Sequence, residues 1–255
     1  MPFIDLHSHI LPGFDDGASD DGEFLEMARV AVRGGTVCMA ATPHYDLESL
    51  NLELPAVFAA VEEHRGLLHE NDVPLELVAG VEVRINAGLY RLAADGDGME
   101  ELALGGNGKY LLCDLPLIDV PTATPDILFK IQLSGFTPIL AHPERNRFLA
   151  NRLERVRELV ERGVEIQVNS GSLEGLYGKA ALRNAFALLD EGIARLVASD
   201  AHKPNGRSAD LSGAARFQKR EEPEIMSRFW INESCPTFIY AEPKAKRGQK
   251  RFPVQ

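Results

Sequence analysis

Short apolar runs alternate along this chain with longer stretches in which apolar residues recur at helical spacing. The short runs are Phe3–Leu6, Thr36–Ala41, Leu75–Val83, Lys109–Leu115, Thr137–Ala141, Val164–Asn169 and Arg195–Ser199. Most are dominated by Val, Ile, Leu and Ala with little polar alternation, as in strands buried on both faces of a parallel sheet. Between them lie helical patterns. Asp20 and Glu23 resemble a capping box ahead of Phe24 to Val32, which Gly34-Gly35 ends. Pro55 opens a second helix that runs to about His69. Further helices are expected over Pro125 to Leu133, Arg152 to Arg162, Ala180 to Leu189 and Glu222 to Asn232.

Strand and helix in alternation imply right-handed crossovers and a parallel sheet. Seven strand candidates in 255 residues suit an α/β barrel of the (β/α) type with one unit fewer than the usual eight. An open doubly wound sheet is the alternative. Gly96, Gly98 and Gly105-Gly106-Asn107-Gly108 mark an exposed loop before the fourth strand. No repeat or linker divides the chain. One domain is expected over residues 1–241, followed by a basic tail over 242–255 that holds Lys244, Lys246, Arg247, Lys250 and Arg251.

Composition narrows the function classes. The formal charge of -11 argues against a nucleic-acid surface, which needs a basic footprint. Cys38, Cys113 and Cys235 are too few and too scattered for a disulfide framework. There is no signal-peptide pattern, and no apolar run approaches the ~20 residues of a membrane span. A cytoplasmic protein without membrane insertion is expected.

The candidate chemistry lies where the strands end. His7 and His9 follow the first strand, His44 the second, and Glu82 ends the third. Asp114 ends the fourth, His142 follows the fifth, Asn169 the sixth, and Asp200 and His202 the seventh. In a barrel all these ends face one mouth. His7 and His9, two apart in an extended segment, point the same way and can share a cation. Asp16 adds an oxygen from the turn that follows, and Glu82 and Asp200 can bridge ions. Nitrogen and oxygen donors without sulfur suit Mn, Fe or Zn, and this ligand set can accommodate two or three ions. Taken singly, each residue has a structural explanation. His142 before Pro143 suits a turn, Asp15 a turn or helix start, and Asp5 a local hydrogen bond. His64 and His69 read as surface residues of a charged helix. Their joint placement at strand ends favours a metal site.

These motifs resemble a known family. His7-Ser8-His9, Thr42-Pro43-His44, Gly80-Val81-Glu82, His142-Pro143-Glu144-Arg145 and Ser199-Asp200-Ala201-His202 are similar to those of the polymerase-and-histidinol-phosphatase (PHP) superfamily. The segment from Asp5 to Ala18, with His142 to Asn146, resembles more narrowly its bacterial manganese-dependent protein-tyrosine phosphatases of capsule and exopolysaccharide loci. The resemblance runs from residue 3 to about 235. It implies a distorted (β/α)7-type barrel and a three-metal site on His7, His9, Asp16, His44, Glu82, Asp114, His142, Asp200 and His202, with Mn2+ first among the metals. The family commonly has glutamate where this chain has Asp114, whose carboxylate reaches ~1.5 Å less far.

The expected nucleophile is a hydroxide held between two ions. Arg145 and Arg207 can fork onto phosphoryl oxygens, and both match arginines that face phosphate in the resembling family. A phenol leaving group needs less proton donation than an alkyl alcohol, which suits phosphotyrosine. The implied partner is an autophosphorylated bacterial tyrosine kinase. The alternatives are a small-molecule phosphomonoesterase, for example on histidinol phosphate, or a non-catalytic metal-binding module. A thiol-based phosphatase is excluded, because the residues six positions after Cys38, Cys113 and Cys235 are His44, Asp119 and Ala241 rather than arginine. The sequence Gly105-Gly106-Asn107-Gly108-Lys109 lacks the first glycine of a phosphate loop and reads as a turn.

Overall fold

The computed structural model describes residues 2–49, 52–96, 98–106 and 109–213. The expected helix over Glu222–Asn232, Cys235, the 241/242 boundary and the basic tail lie outside the described residues, as do Asn107 and Gly108.

Nine strands and seven α-helices alternate along the described chain, and every strand pair is parallel. The strands are β1 (Phe3–Ser8), β2 (Thr36–Ala41), β3 (His44–Tyr45), β4 (Glu76–Ala79), β5 (Glu82–Arg84), β6 (Tyr110–Asp114), β7 (Thr137–Ala141), β8 (Glu165–Asn169) and β9 (Leu196–Ala198). The helices are α1 (Asp21–Arg33), α2 (Leu54–Glu70), α3 (Ala87–Asp95), α4 (Thr124–Leu133), α5 (Leu153–Glu161), α6 (Ser170–Leu173) and α7 (Gly178–Asp190). At the start of α1 the Asp20 carboxylate accepts from the Glu23 backbone N–H at 2.9 Å. The Glu23 side chain accepts from the amide and hydroxyl of Ser19 rather than from Asp20, a variant of the expected box.

The seven strand candidates are all present, but not in one sheet. One sheet has the order β1-β2-β4, the other β3-β5-β6-β7-β8-β9. The run Leu75–Val83, read as one strand, is β4 and β5 with a corner at Gly80-Val81. A Cβ at Gly80 would meet Leu104 Cδ2 at 2.8 Å, so a side chain at this corner would have to displace that buried leucine. The neighbouring run bends at Thr42-Pro43, which separates β2 from the two-residue β3. Hydrogen bonds continue through the bend, from Gly80 N to Ala41 O and from Glu82 N to Pro43 O, both at 3.0 Å. On the far side a single bridge joins Ser8 of β1 to Ala201, just past β9, so a closed ladder is not shown among the described strands.

The core has three parts. One packs β5 to β9 against α3, α4, α5 and α7. A second sets α1 and α2 against β2 and β4. The third gathers Leu6, Cys38, Ala40, Val78, Leu112, Ile139, Ala141 and Ala198, so strands of both sheets turn one face onto a shared interior. There β5 and β8 differ. Their outward residues Val83, Ile166 and Val168 join the helix-facing core, whereas Glu82, Gln167 and Asn169 on the opposite face are polar and buried.

Two further readings change. The glycine-marked stretch before β6 is not wholly exposed, because Leu102, Ala103 and Leu104 are buried there. His64 is buried against α1, its ring centroid 4.5 Å from that of Phe24 and its Nδ1 2.7 Å from Ala60 O. His69 is exposed, as expected.

Candidate metal centre

Each parallel strand delivers its last residues to the same end of the molecule, and the polar residues converge there. The Nε2 atoms of His7 and His9 lie 3.2 Å apart. Glu82 reaches four imidazoles: His44 at 2.7 Å, His142 at 2.9 Å, His7 at 3.4 Å and His9 at 3.5 Å. Asp200 Oδ1 lies 3.5 Å from His7, 3.4 Å from His9 and 3.5 Å from His202. Asp16 lies 3.2 Å from His202 and 3.6 Å from His44. Among the described residues three groups have ligand atoms close enough to hold an ion: His9, Asp16, His44 and His202; His7, Glu82 and His142; and His7, His9 and Asp200. Eight of the nine candidate ligands fall in these groups.

Asp114 is the one outside them. It is buried, with Oδ1 3.9 Å from His142 and Oδ2 paired to Arg84 at 2.9 Å. Its shorter side chain reaches the edge of the cluster while the β5 arginine holds its other oxygen. Burial, followed by the Glu82 charge, pushes its pKa up to about 6.

The donors fit divalent cations for a reason internal to the structure. His9 Nδ1 lies 2.6 Å from Asp15 Oδ2, and His7 Nδ1 lies 3.1 Å from Gln167 Oε1. A metal ligand must be a neutral ring, and in a neutral ring each of these acceptors takes the proton on Nδ1 and leaves Nε2 as a lone pair. Two lone pairs facing each other across 3.2 Å repel unless a cation takes both. His202 is held in a related way: its Nδ1 sits 2.9 Å from Asp200 O, and its Nε2 faces Asp16 Oδ1 at 3.2 Å.

Electrostatics and backbone reflect the same crowding. Burial would raise Glu82, but the surrounding imidazoles outweigh it and hold the carboxylate well below its usual range. Burial opposes protonation of His142, yet Glu82 pushes it up to about 9. Burial and the neighbouring His9 bring His202 down to about 3. His142 and Asp200 occupy left-handed backbone, with φ of 34° and 51°. Histidine and aspartate tolerate this region better than most residues, yet each still carries strain that its surroundings must outweigh.

Both predicted arginines reach the cluster. Arg145 Nη1 donates to Asp200 Oδ2 at 2.7 Å, and Arg207 Nη2 donates to Asp200 Oδ1 at 2.9 Å. Residues outside the predicted set complete the site. Asp15, read as a turn residue, does accept from Gly17 N, but it also orients His9 and accepts from His44 N at 3.0 Å. Asp5 accepts from Ser199 N as well as from nearby His7 N, tying β1 to the end of β9. Buried Glu144 accepts from Asn169 N and the Ser172 hydroxyl. Tyr177 lies beneath Arg145, with the guanidinium carbon 4.0 Å from its ring centroid. No periodicity signals Tyr177. Glu144 stands within the His-Pro-Glu-Arg motif itself.

The chain has recognisable relatives. A family model described as capsular polysaccharide synthesis, CpsB/CapC, matches residues 3–235. Tyrosine-protein phosphatase YwqE of Bacillus subtilis (strain 168) is 37% identical over 218 residues, covering 86% of this chain and 84% of that protein. Tyrosine-protein phosphatase CpsB of Streptococcus pneumoniae is 26% identical over 213 residues, covering 80% and 84%. Among solved structures, one from a study of YwqE from Bacillus subtilis and CpsB from Streptococcus pneumoniae, described as unique metal-dependent tyrosine phosphatases, aligns with a TM-score of 0.79 and 34% identity over 88% of this chain and 89% of the other. With its residues 3–235 matching that family model and its polar strand ends drawn into one cluster, this chain belongs to the CpsB/CapC family of capsular polysaccharide synthesis.

Proposed function

We propose that this chain is a metal-dependent phosphatase that hydrolyses phosphotyrosine on a cytoplasmic protein, an autophosphorylated bacterial tyrosine kinase in particular. The observation that carries the reading is the pair of imidazole Nε2 atoms 3.2 Å apart, ringed by Glu82 and Asp200 and flanked by Arg145 and Arg207. Two or three divalent cations, Mn2+ first, would be held by His7, His9, Asp16, His44, Glu82, His142, Asp200 and His202, with Asp114 as an outlying ninth ligand. When bound, such cations supply a water acidified to near neutrality and positive charge for phosphoryl oxygens. The rest falls to the protein. Arg145 and Arg207 present guanidinium donors from one side, and Tyr177 fixes the plane of Arg145. Asp15 keeps His9 in the tautomer that leaves Nε2 open. The same proposal takes the two sheets as one distorted barrel of seven β/α units. It is supported by the hydrogen bonds through the Ala41/Gly80 corner, the Ser8–Ala201 bridge and the shared interior.

Activity on a phosphotyrosine peptide and on histidinol phosphate, assayed side by side with Mn2+ and then with chelator, tests this function. Hydrolysis of the peptide that chelator stops is the expected result. Preference for histidinol phosphate would overturn the substrate, and inertness toward both would leave a binding module. Arg145→Ala is expected to lower kcat about 100-fold, the scale for removing one donor to developing charge. Metal content by elemental analysis should stay that of the wild type; loss of metal would show that Arg145 serves the centre rather than the substrate.

A further inference from the structure

Beneath the cluster, two amides on the inward face of β8 join one candidate ligand to another. Gln167 and Asn169 are fully buried and two residues apart, so their side chains lie side by side. Asn169 Nδ2 donates to Asp200 Oδ2 at 2.6 Å. Gln167 Nε2 donates to Asn169 Oδ1 at 2.8 Å. Gln167 Oε1 then faces His7 Nδ1 at 3.1 Å. The direction of this chain is forced from one end. An ionised carboxylate only accepts, so Asn169 must turn its NH2 toward Asp200 and its oxygen toward Gln167. Gln167 must then donate to Asn169 and offer its own oxygen to His7. That oxygen accepts only from a protonated Nδ1.

We infer that Gln167 and Asn169 are positioning residues that transmit the charge of Asp200 to His7, fixing His7 as its Nδ1–H tautomer with Nε2 open toward His9. The inference rests on the metal-centre reading above and deepens it. Without the relay, His7 can move its proton to Nε2 and donate to His9 Nε2, 3.2 Å away. That internal hydrogen bond would close the two nitrogens on each other and compete with a cation. The relay denies the protein this alternative. It also occupies Asp200 Oδ2, leaving Oδ1 toward His7, His9 and His202. Glu144 supports the arrangement by accepting from Asn169 N, which fixes the end of the strand.

The test compares full-length wild type with Gln167→Leu and Gln167→Glu. Metal-free protein is examined by 15N imidazole NMR, and Mn2+ affinity is measured by calorimetry. Wild-type His7 is expected as the Nδ1–H tautomer. Leucine removes the acceptor, so His7 should switch to Nε2–H and Mn2+ should bind about 10–100-fold more weakly, the usual cost of losing a ligand's outer partner. Glutamate offers His7 an acceptor in either protonation state and should retain the wild-type tautomer even though it is not the native residue. An Nε2–H tautomer in the wild type, an unchanged tautomer in Gln167→Leu, or equal Mn2+ affinity in wild type and Gln167→Leu would each overturn the relay. Wild type that binds no Mn2+ would instead overturn the metal reading, while the tautomer comparison still decides the relay. If Gln167→Leu fails to fold, the wild-type tautomer and its retention in Gln167→Glu decide the matter.

Discussion

Asp200→Ala is expected to release the divalent cations and to reduce phosphatase activity to that of chelated protein. The carboxylate touches more of the site than Glu82, which reaches only imidazoles. One oxygen lies within 3.5 Å of three imidazoles, and the two oxygens accept from Arg145, Arg207 and Asn169. Loss of a ligand's outer partner alone costs about 10–100-fold in affinity, so loss of the carboxylate should weaken Mn2+ binding by more than about 100-fold. Alanine also leaves two guanidinium groups and a buried amide without their acceptor, which is costly in a low-dielectric site. Asp200→Asn separates the effects, because it keeps the shape and removes the charge. Metal content after dialysis, thermal melting and turnover of a phosphotyrosine peptide should be measured on all three proteins. Full metal content with full turnover in the alanine variant would defeat the role given to Asp200.

Gly17→Ala is expected to lower stability by about 1–3 kcal/mol, the range for forced overpacking, and to weaken cation binding with it. A Cβ at Gly17 would lie 1.9 Å from His9 O and 2.8 Å from His9 Cβ. The segment here folds back on itself: Ala18 N donates to His9 O at 3.1 Å, and Gly17 N donates to Asp15 at 2.9 Å. The methyl group must therefore push the turn away from His9. His9, Asp15 and Asp16 all move with it, although the alanine touches no ligand side-chain nitrogen or oxygen. Gly66→Ala is the control. Gly66 lies exposed within α2, and a methyl group there would find nothing within 4 Å, so alanine should stabilise by roughly 0.5–1 kcal/mol. Chemical denaturation reads both changes, and equal behaviour of the two variants would refute the steric argument.

Much of the site was legible because strand ends are punctuated. His7, His9, His44, His142, Asp200 and His202 each follow an apolar run, and one mouth collects them once the strands are parallel. The corner at Gly80 was hidden, because apolar residues continue on both sides and periodicity reads straight through a bend. His64 was misread for the opposite reason. Glu62, Glu63 and Arg65 surround it with charge, and only the packing of α1 against α2 reveals that its ring meets Phe24. Leu102-Ala103-Leu104 was masked by adjacent glycines. Helix α3, capped by Asn86 accepting from Leu89 N, is only nine residues long and carries too few turns for a clear period. Gln167 did leave a signal, a polar residue alternating with Ile166 and Val168, but a polar residue in a buried strand acquires meaning only when its neighbours are known. Asp15 and Asp16 shared one turn signature, and nothing in their order tells which one would face the histidines' outer nitrogens.

The hydrogen bond from Ser199 to Asp5 joins residues 194 positions apart in the chain. The imidazoles of β1 emerge early during synthesis and Glu82 follows, yet Asp200, the second carboxylate that faces them, is added almost 200 residues later. A nascent chain therefore cannot complete the cation cage until most of its length has been made. Contacts this distant in sequence are slow to form, because the entropy of closing the loop is lost before the contact returns anything. Once formed, they make ion binding a property of the entire described chain. A cation at 100 times its Kd adds about 2.7 kcal/mol to the stability of the native state. That increment opposes global unfolding rather than the fraying of any one helix, so cation supply in the cell would govern how long the finished protein survives as well as how fast it works.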